Sequence, residues 1–370
     1  MLCCFVMNIE KIISPNAKGD VIDWFRQEGL LSDNVVKKFR PNLGDEKLHE
    51  ALSEIDTQYL VAILDEPLDP QLVATTTLLN LLGQPVFGIR TDVRGPYGGS
   101  MHFFPRLQLD FFTQIQFDNS VMSDIDGLQD ILSKGSHKKC AEQKRFLTAN
   151  DLNANGQDKI EMKDKVYIAG SLFEIASLFR NLQLSDIVQP QLDTIVPQRD
   201  GFEFSKIAET LRGEGIKEEQ ISSYIEMIIY YLDIGKFILN DSAVVIVDLS
   251  GEHIDEGAVV EMIIAKAAGK RVIGIGQCND AIPGIISSHC DTLLSFDSLS
   301  NRRRELKCAV LREHAKYKKT DSLNRINQNQ YLRHMFNTSF KLFYGLDPIN
   351  RHVKDIVNRI GNFHIGNSIL

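Results

Sequence analysis

The segment Asp255-Glu256-Gly257-Ala258-Val259-Val260-Glu261 holds a carboxylate whose surroundings do not suit a solvated side chain. It follows an apolar run ending at Asp248 and reads as the start of a helix. Asp255 is a natural N-cap, because its carboxylate can accept from the free amides of the first turn. Gly257 lets a ligand approach the backbone closely. Glu261 then falls in the second turn. At about 100° per residue it shares a face with Gly257, Ala258, Ile264 and Ala265, all small or apolar. Glu256, Lys266 and Lys270 fall about 140–180° away, where a solvated face is expected. A carboxylate on the small-residue face of a helix must be paired, protonated or lining a cavity. Pattern alone leaves a structural and a functional role open. The position near a helix N-terminus after a buried strand favours function, since ligands bind at the carboxyl ends of parallel strands.

Two further carboxylates precede that strand. Asp233 interrupts the apolar stretch Ile228-Ile-Tyr-Tyr-Leu232 and Ile234, either as a polar edge position or as a functional group. Asp241 follows Asn240 at a strand entrance and reads as a turn residue. Other motifs are weaker. Asp151-Leu-Asn153-Ala-Asn155-Gly156 imitates the first half of a calcium loop, but the eighth and twelfth positions are Asp158 and Met162 where an apolar residue and Glu are needed. A flexible Asn/Gly turn is the better account. Gly274-Ile-Gly276 lacks the third glycine and the later acidic residue of a dinucleotide fingerprint. The six cysteines and nine histidines have no metal-type spacing, so no metal and no cofactor is expected.

These groups need elements to position them. Tyr59-Leu-Val-Ala-Ile-Leu-Asp65, a helical run to Leu82, and Gly83-Gln84-Pro85-Val86-Phe87-Gly88-Ile89 form one strand–helix–strand pattern. Ala243-Val-Val-Ile-Val-Asp248, a helical run to Ala268, and Gly269-Lys270-Arg271-Val272-Ile273-Gly274-Ile275 form another. Unbroken apolar strands suit a parallel sheet covered on both faces, with right-handed crossovers. Gly83 and Gly269 stand where a helix ends in a left-handed residue. The fold class expected is α/β: two Rossmann-like (flavodoxin-like) parallel-sheet units in tandem, with a C-terminal helical tail. In the second copy, Lys165-Val-Tyr167-Ile-Ala-Gly170 reads as a first strand, Ser171 to about Leu184 as a helix, and Ile195–Asp200 as a short strand leaving into a loop. Ile221 to about Leu239 reads as one long helix, and the chain beyond Phe296 as helical with a single break at Pro348. The expected boundaries are 1–135, a polar linker 136–164, 165–300, and an extension 301–370.

The 370 residues suffice for two domains of roughly 100–200 residues. An apolar fraction of 43% lets each bury a core. A net charge of −8 argues against nucleic acid or an anionic membrane as the main partner. Asn301-Arg302-Arg303-Arg304 reads as a solvated helix start. With scattered cysteines, no signal peptide and no spanning segment, a soluble cytoplasmic protein is expected.

Across about residues 165–296 the chain resembles the nucleoside 2-deoxyribosyltransferase family. The matching pieces are Tyr167-Ile-Ala-Gly170-Ser-Leu-Phe173, Val196-Pro-Gln-Arg-Asp200-Gly201, Tyr231-Leu-Asp233, Asn240-Asp241, and Asp255-Glu-Gly257 with Glu261 and Gly269-Lys270. The resemblance implies transfer of 2-deoxyribose between nucleobases, an activity of nucleotide salvage. Nucleosides and free bases would be the partners, with a homo-oligomer or an internal pseudo-dimer as the assembly. It implies that Glu261 is the nucleophile on the anomeric carbon, that Asp255 holds the sugar, and that Asp233 exchanges a proton with the base. Tyr167 would orient the nucleophile, with Gly170 and Gly257 beside the substrate. Two alternatives remain: an N-glycoside hydrolase using the same glutamate, and a non-catalytic nucleotide-binding protein.

The first half resembles the same family more distantly, through Ile63-Leu-Asp65 and Gly88-Ile-Arg90-Thr91-Asp92-Val-Arg94-Gly95. Aligned on Gly83, the nucleophile position holds Thr75 and the Gly257 position holds Gln71, although Asp69 matches Asp255. No counterpart of the Tyr167 strand is evident, so this half is expected to be a degenerate copy. In the second copy Gln277-Cys-Asn-Asp280 replaces the Arg-Thr-Asp segment that the first keeps. Arg90 and Arg94 are therefore expected to complete the substrate pocket of the second half.

Overall fold

The computed structural model describes residues 11–13, 60–63, 68–83, 86–90, 103–109, 111–114 and, between 162 and 361, all except 172–174, 251–253, 278–281, 297–298 and 347. The expected linker up to 161, the calcium-like loop except Met162, and Arg94 lie outside them. The chain forms two compact units, 1–144 with 283–285, and 145–282 with 286–370.

The first unit contains a four-stranded parallel sheet of β1 (Lys11–Ile13), β2 (Leu60–Ile63), β3 (Val86–Arg90) and β4 (Phe111–Gln114), in that order. Helix α1 (Pro70–Leu81) joins β2 to β3, and α2 (Phe103–Arg106) precedes β4. Asp69 caps α1 by accepting from the Gln71 amide at 2.7 Å, and Gly83 ends it at φ +74°.

One expectation is corrected here. The first unit does have a counterpart of the Tyr167 strand, namely β1. A strand of three residues, Lys11-Ile12-Ile13, offers too few apolar positions to show a period, and only its pairing with β2 reveals it.

The second unit is built on β5 (Lys165–Ala169), β6 (Thr194–Ile195), β7 (Ser242–Asp248), β8 (Arg271–Gly276) and β9 (Thr292–Ser295), all parallel in the order β6-β5-β7-β8-β9. Taking β5 as first, this is the 2-1-3-4-5 order of flavodoxin-like sheets, whose switch point lies between β5 and β7. Alternate strand residues serve opposite faces. Val166, Ile168, Val244, Ile246 and Ile273 pack with Leu184 and Val188 of α3 (Ile175–Val188) and Leu306 and Val310 of a later helix, α9 (Arg303–Lys316). The other face carries Tyr167, covered by α7 (Glu256–Ala267) and by the helix that precedes β7. Burial on both faces explains the unbroken apolar strands.

Between β6 and β7 stand α4 (Pro197–Asp200), α5 (Phe204–Gly213) and α6 (Glu218–Tyr230). The segment expected to be a loop after Ile195 is therefore a helical turn, opened by Pro197 at the position where proline's missing N–H costs nothing. Nor is the long helix before β7 uniform. After Tyr230 it widens into a π-helix, Tyr231–Asn240, whose last bond runs from the Asp241 amide to the Lys236 carbonyl at 2.9 Å. Side-chain periodicity does not distinguish this from an α-helix over so short a span. Asp241 terminates it, accepting from Lys236 Nζ at 2.7 Å.

Past α8 (Gly284–Ser288) and β9, the C-terminal segment is integral to the second unit. It comprises α9, α10 (Lys319–Gln328), α11 (Gln330–Phe343) and α12 (Val353–Gly361). The expected single break at Pro348 becomes three, at 317–318, 329 and 344–352. Extended backbone at Tyr317 ends α9, and Asn329 caps α11 by accepting from the Leu332 amide at 3.1 Å. As expected, Arg302, Arg303 and Arg304 are exposed at the start of α9.

Candidate functional site

Helix α7 presents its second turn to the sheet. Asp255 accepts from the Ala258 amide at 2.8 Å and so fixes where the helix begins. Gly257 is buried in the first turn, and Gly269 ends the helix at φ +73°. Glu261, one turn after Gly257, is 6% exposed and points at β5. There the hydroxyl of Tyr167, itself fully buried, donates to Glu261 Oε1 at 2.6 Å.

The third member comes from the π-helix. Asp233 is 5% exposed, and its charge acts on both Tyr167 and Glu261. Phe237, four residues on, sets its ring 6.4 Å from that of Tyr167. Three elements distant in sequence thus bring Tyr167, Asp233, Asp255 and Glu261 into one electrostatic cluster.

Its protonation follows first from its burial. Burial raises Glu261 well above the usual carboxylate range, and the charges of Asp233 and Asp255 add to this, while the Tyr167 hydroxyl opposes it. Burial lifts Asp233 to about 8. Tyr167 is raised too, first by burial and then by Glu261 and Asp233. The charges that act on Glu261 are those of other carboxyl groups, and burial is the cause at Asp233. The contrast is Glu313, also fully buried. Burial works against its charge, yet hydrogen bonds from Lys316, Arg271, Thr292 and Arg312 hold it down at about 2. Partners hold the Glu313 charge, whereas burial disfavours the charged forms of Asp233 and Glu261.

The other expected site residues divide. A Cβ on Gly170 would lie 2.7 Å from Asn181 Oδ1 and 3.2 Å from Asp248 Cβ, so this glycine admits α3 against the carboxyl ends of β5 and β7. Arg90 ends β3, paired with Gln114 of β4, and its side chain lies outside the described residues, as does Arg94. The expected solvated face of α7 is corrected. Glu256 and Lys266 are half-buried, and Lys266 binds Asp291 at 2.9 Å. Lys270 is 1% exposed, its ammonium 3.3 Å from the Tyr317 hydroxyl. Burial first, then Lys319, lowers it to about 7 against the pull of Asp241. The C-terminal helices cover a face that the helix alone would leave in water.

Several contributors gave no sequence signal. Phe237 and Tyr231 look like ordinary core residues. Arg180 hydrogen-bonds Ser250 and lies 3.7 Å from Asp248 at the end of β7, which no motif announced. Among the described residues, no group of three or more His, Cys, Asp and Glu is placed to hold a metal ion, and no helix is long and apolar enough to cross a membrane.

The fold and site define an α/β protein of Rossmann-like, flavodoxin-ordered type with a buried tyrosine–carboxyl cluster beside its switch point. No family model and no curated protein matches the chain. Among solved structures it is similar to one described as the glycotransferase of kitacinnamycin, at 10% identity and a TM-score of 0.26, covering 92% of this chain and 89% of that one. A likeness at that score carries no argument.

Proposed function

We propose that the second unit transfers 2-deoxyribose between nucleobases through a covalent ester on Glu261, as a member of the nucleoside 2-deoxyribosyltransferase family. The observation that carries this reading is the pairing of Glu261 with the Tyr167 hydroxyl, beside an Asp233 that burial keeps protonated. A nucleobase leaves poorly as an anion, so an acid must protonate it as the bond breaks. Asp233 holds that proton at neutral pH. Glu261 is the carboxyl whose ionised form receives a hydrogen bond, so it is the one poised to take negative charge as positive charge grows on the sugar.

The step starts from ionised Glu261, the form that the Tyr167 hydroxyl favours against burial: the electron pair of the C1′–N bond goes to the base, which takes the Asp233 proton, while a carboxylate oxygen of Glu261 bonds C1′. An arriving base then attacks C1′, its proton passes to Asp233, and the ester bond returns its electrons to Glu261. Two displacements restore the configuration. Tyr167 holds the nucleophile in line, and Asp255 sets the start of the helix that carries it. The near-complete burial of Glu261 and Asp233 favours transfer over hydrolysis, because a dry ester survives until a base arrives.

The test is incubation with a deoxynucleoside, with and without a different free base, and resolution of the products. A new nucleoside formed only with acceptor supports transfer. Free sugar without acceptor would make the protein a hydrolase on the same glutamate. Neither product, with binding retained, would make it a nucleotide-binding protein.

A further inference from the structure

The π-helix has two working sides. On one, Asp233 acts on Tyr167 and Glu261, and Phe237 meets the Tyr167 ring. On the other, α11 presses against Tyr231 and Gly235. The Tyr231 hydroxyl is 2.9 Å from His334 Nε2, with the two rings 6.1 Å apart and near edge-on at 62°. At Gly235 a Cβ would stand 2.4 Å from Ser339 Cβ, 2.6 Å from its Oγ and 2.9 Å from the Met335 carbonyl oxygen. One turn earlier, the Tyr230 hydroxyl bonds that of Tyr331. The far end is pinned as well, by Ser242 donating to the Phe237 carbonyl at 2.5 Å and by the Lys236–Asp241 pair.

A π-helix is rarely the intrinsic choice of a sequence, and such segments gather at functional sites. Here its widened turns are held between two fixed surfaces. Resting on the transfer chemistry read above, we infer that α11 is a positioning element of the active site, in which His334 and Ser339 hold the back of the π-helix and so fix where Asp233 meets the substrate base. The C-terminal helices then belong to the catalytic apparatus through the π-helix that α11 holds. The titratable groups in electrostatic contact with Asp233 are Tyr167 from β5 and Glu261 from α7, and a shift of the π-helix changes its relation to both.

The measurement is a ¹³C-carboxyl NMR titration of aspartate-labelled full-length protein, with the Asp233 resonance assigned from Asp233→Asn. It is run beside kcat and KM for deoxyribosyl transfer. Gly235→Ala should move the Asp233 midpoint down from about 8 as water enters, and lower kcat by roughly 10-fold with little change in KM. Adding Ser339→Gly, which clears two of the three clashing atoms, should restore much of both. Tyr231→Phe keeps the ring, removes the bond to His334 and should give a smaller shift of the same sign. It carries the test by itself if Gly235→Ala does not fold. A titration unmoved in the folded variants while their melting temperatures fall would overturn the inference, leaving α11 as packing only. A midpoint that moves and is restored in a protein without transferase activity would sustain the positioning role and sink the chemistry instead.

Discussion

The two strand–helix–strand copies share a backbone plan and differ in what they place on it. In both, an aspartate caps the helix, Asp69 on Gln71 and Asp255 on Ala258, and a positive-φ glycine ends it, Gly83 and Gly269. Five residues later Gly88 pairs with Ala62, and Gly274 pairs with Val247. Ala62 in turn pairs with Ile13, and Val247 with Ala169. Following that register two residues back puts Lys11 where the second copy has Tyr167. The nucleophile position holds Thr75, whose hydroxyl donates to the Gln71 carbonyl of its own helix at 2.7 Å. One copy has Tyr167 donating to Glu261, whereas the other has Lys11 at the matching strand register and, at the nucleophile position, a threonine satisfied by its own helix. Caps and helix ends are conditions of folding and are kept in both. Burying Glu261 and Asp233 against their charge costs stability in the second copy, where the first has Thr75 at the nucleophile position.

Mutations can test that contrast, and the largest effect should come from Glu261. Glu261→Ala should remove at least roughly 10³-fold of kcat, whereas Thr75→Ala should leave transfer unchanged. Loss at Thr75 would mean the first copy is not silent.

Asp233→Asn should cost roughly 10²–10⁴-fold with ordinary bases, and distinctly less with a base that leaves readily without a proton. Equal losses with both leaving groups would remove Asp233 from the role of acid. The same substitution bears on stability. A carboxyl raised to about 8 in the folded state is stabilising below its unfolded value, and the contribution disappears as pH rises towards 8. The unfolding free energy of Asp233→Asn relative to the parent, read by denaturant titration, should therefore climb between about pH 4 and 8, with a slope of at most about 1.4 kcal/mol per pH unit.

Tyr167→Phe removes the hydrogen bond that favours ionised Glu261. Its kcat should fall by roughly 10–100-fold, and the acid limb of the pH–rate profile should move to higher pH. A limb that stays in place would show that the hydroxyl orients Glu261 without tuning it.

The smallest effect separates the caps. Asp69→Ala and Asp255→Ala should each cost about 1 kcal/mol in thermal denaturation, but only the second should also lower kcat.

Local chemistry explains which features were legible. Asp255, Glu261 and Gly269 announce themselves because capping, helical phase and the left-handed helix end are properties of a few adjacent residues. Asp233 showed as a polar break in an apolar stretch, though not its π-helical setting, which depends on α11 about a hundred residues later. β1 was hidden because three residues carry no period. Lys270 was misplaced because helical phase identifies the far side of α7 but not the Tyr317 that covers it.

By itself, then, the sequence determined the parallel α/β plan, the helix ends, and a carboxylate on the wrong face for solvent, since each follows from short-range sterics and the alternation of apolar residues. Only the tertiary structure decided that Tyr167, Asp233 and Glu261 meet, that burial disfavours charge on both carboxyls, and that the C-terminal helices brace the π-helix. Those outcomes depend on distances between elements far apart in the chain, and on which buried charges find partners there.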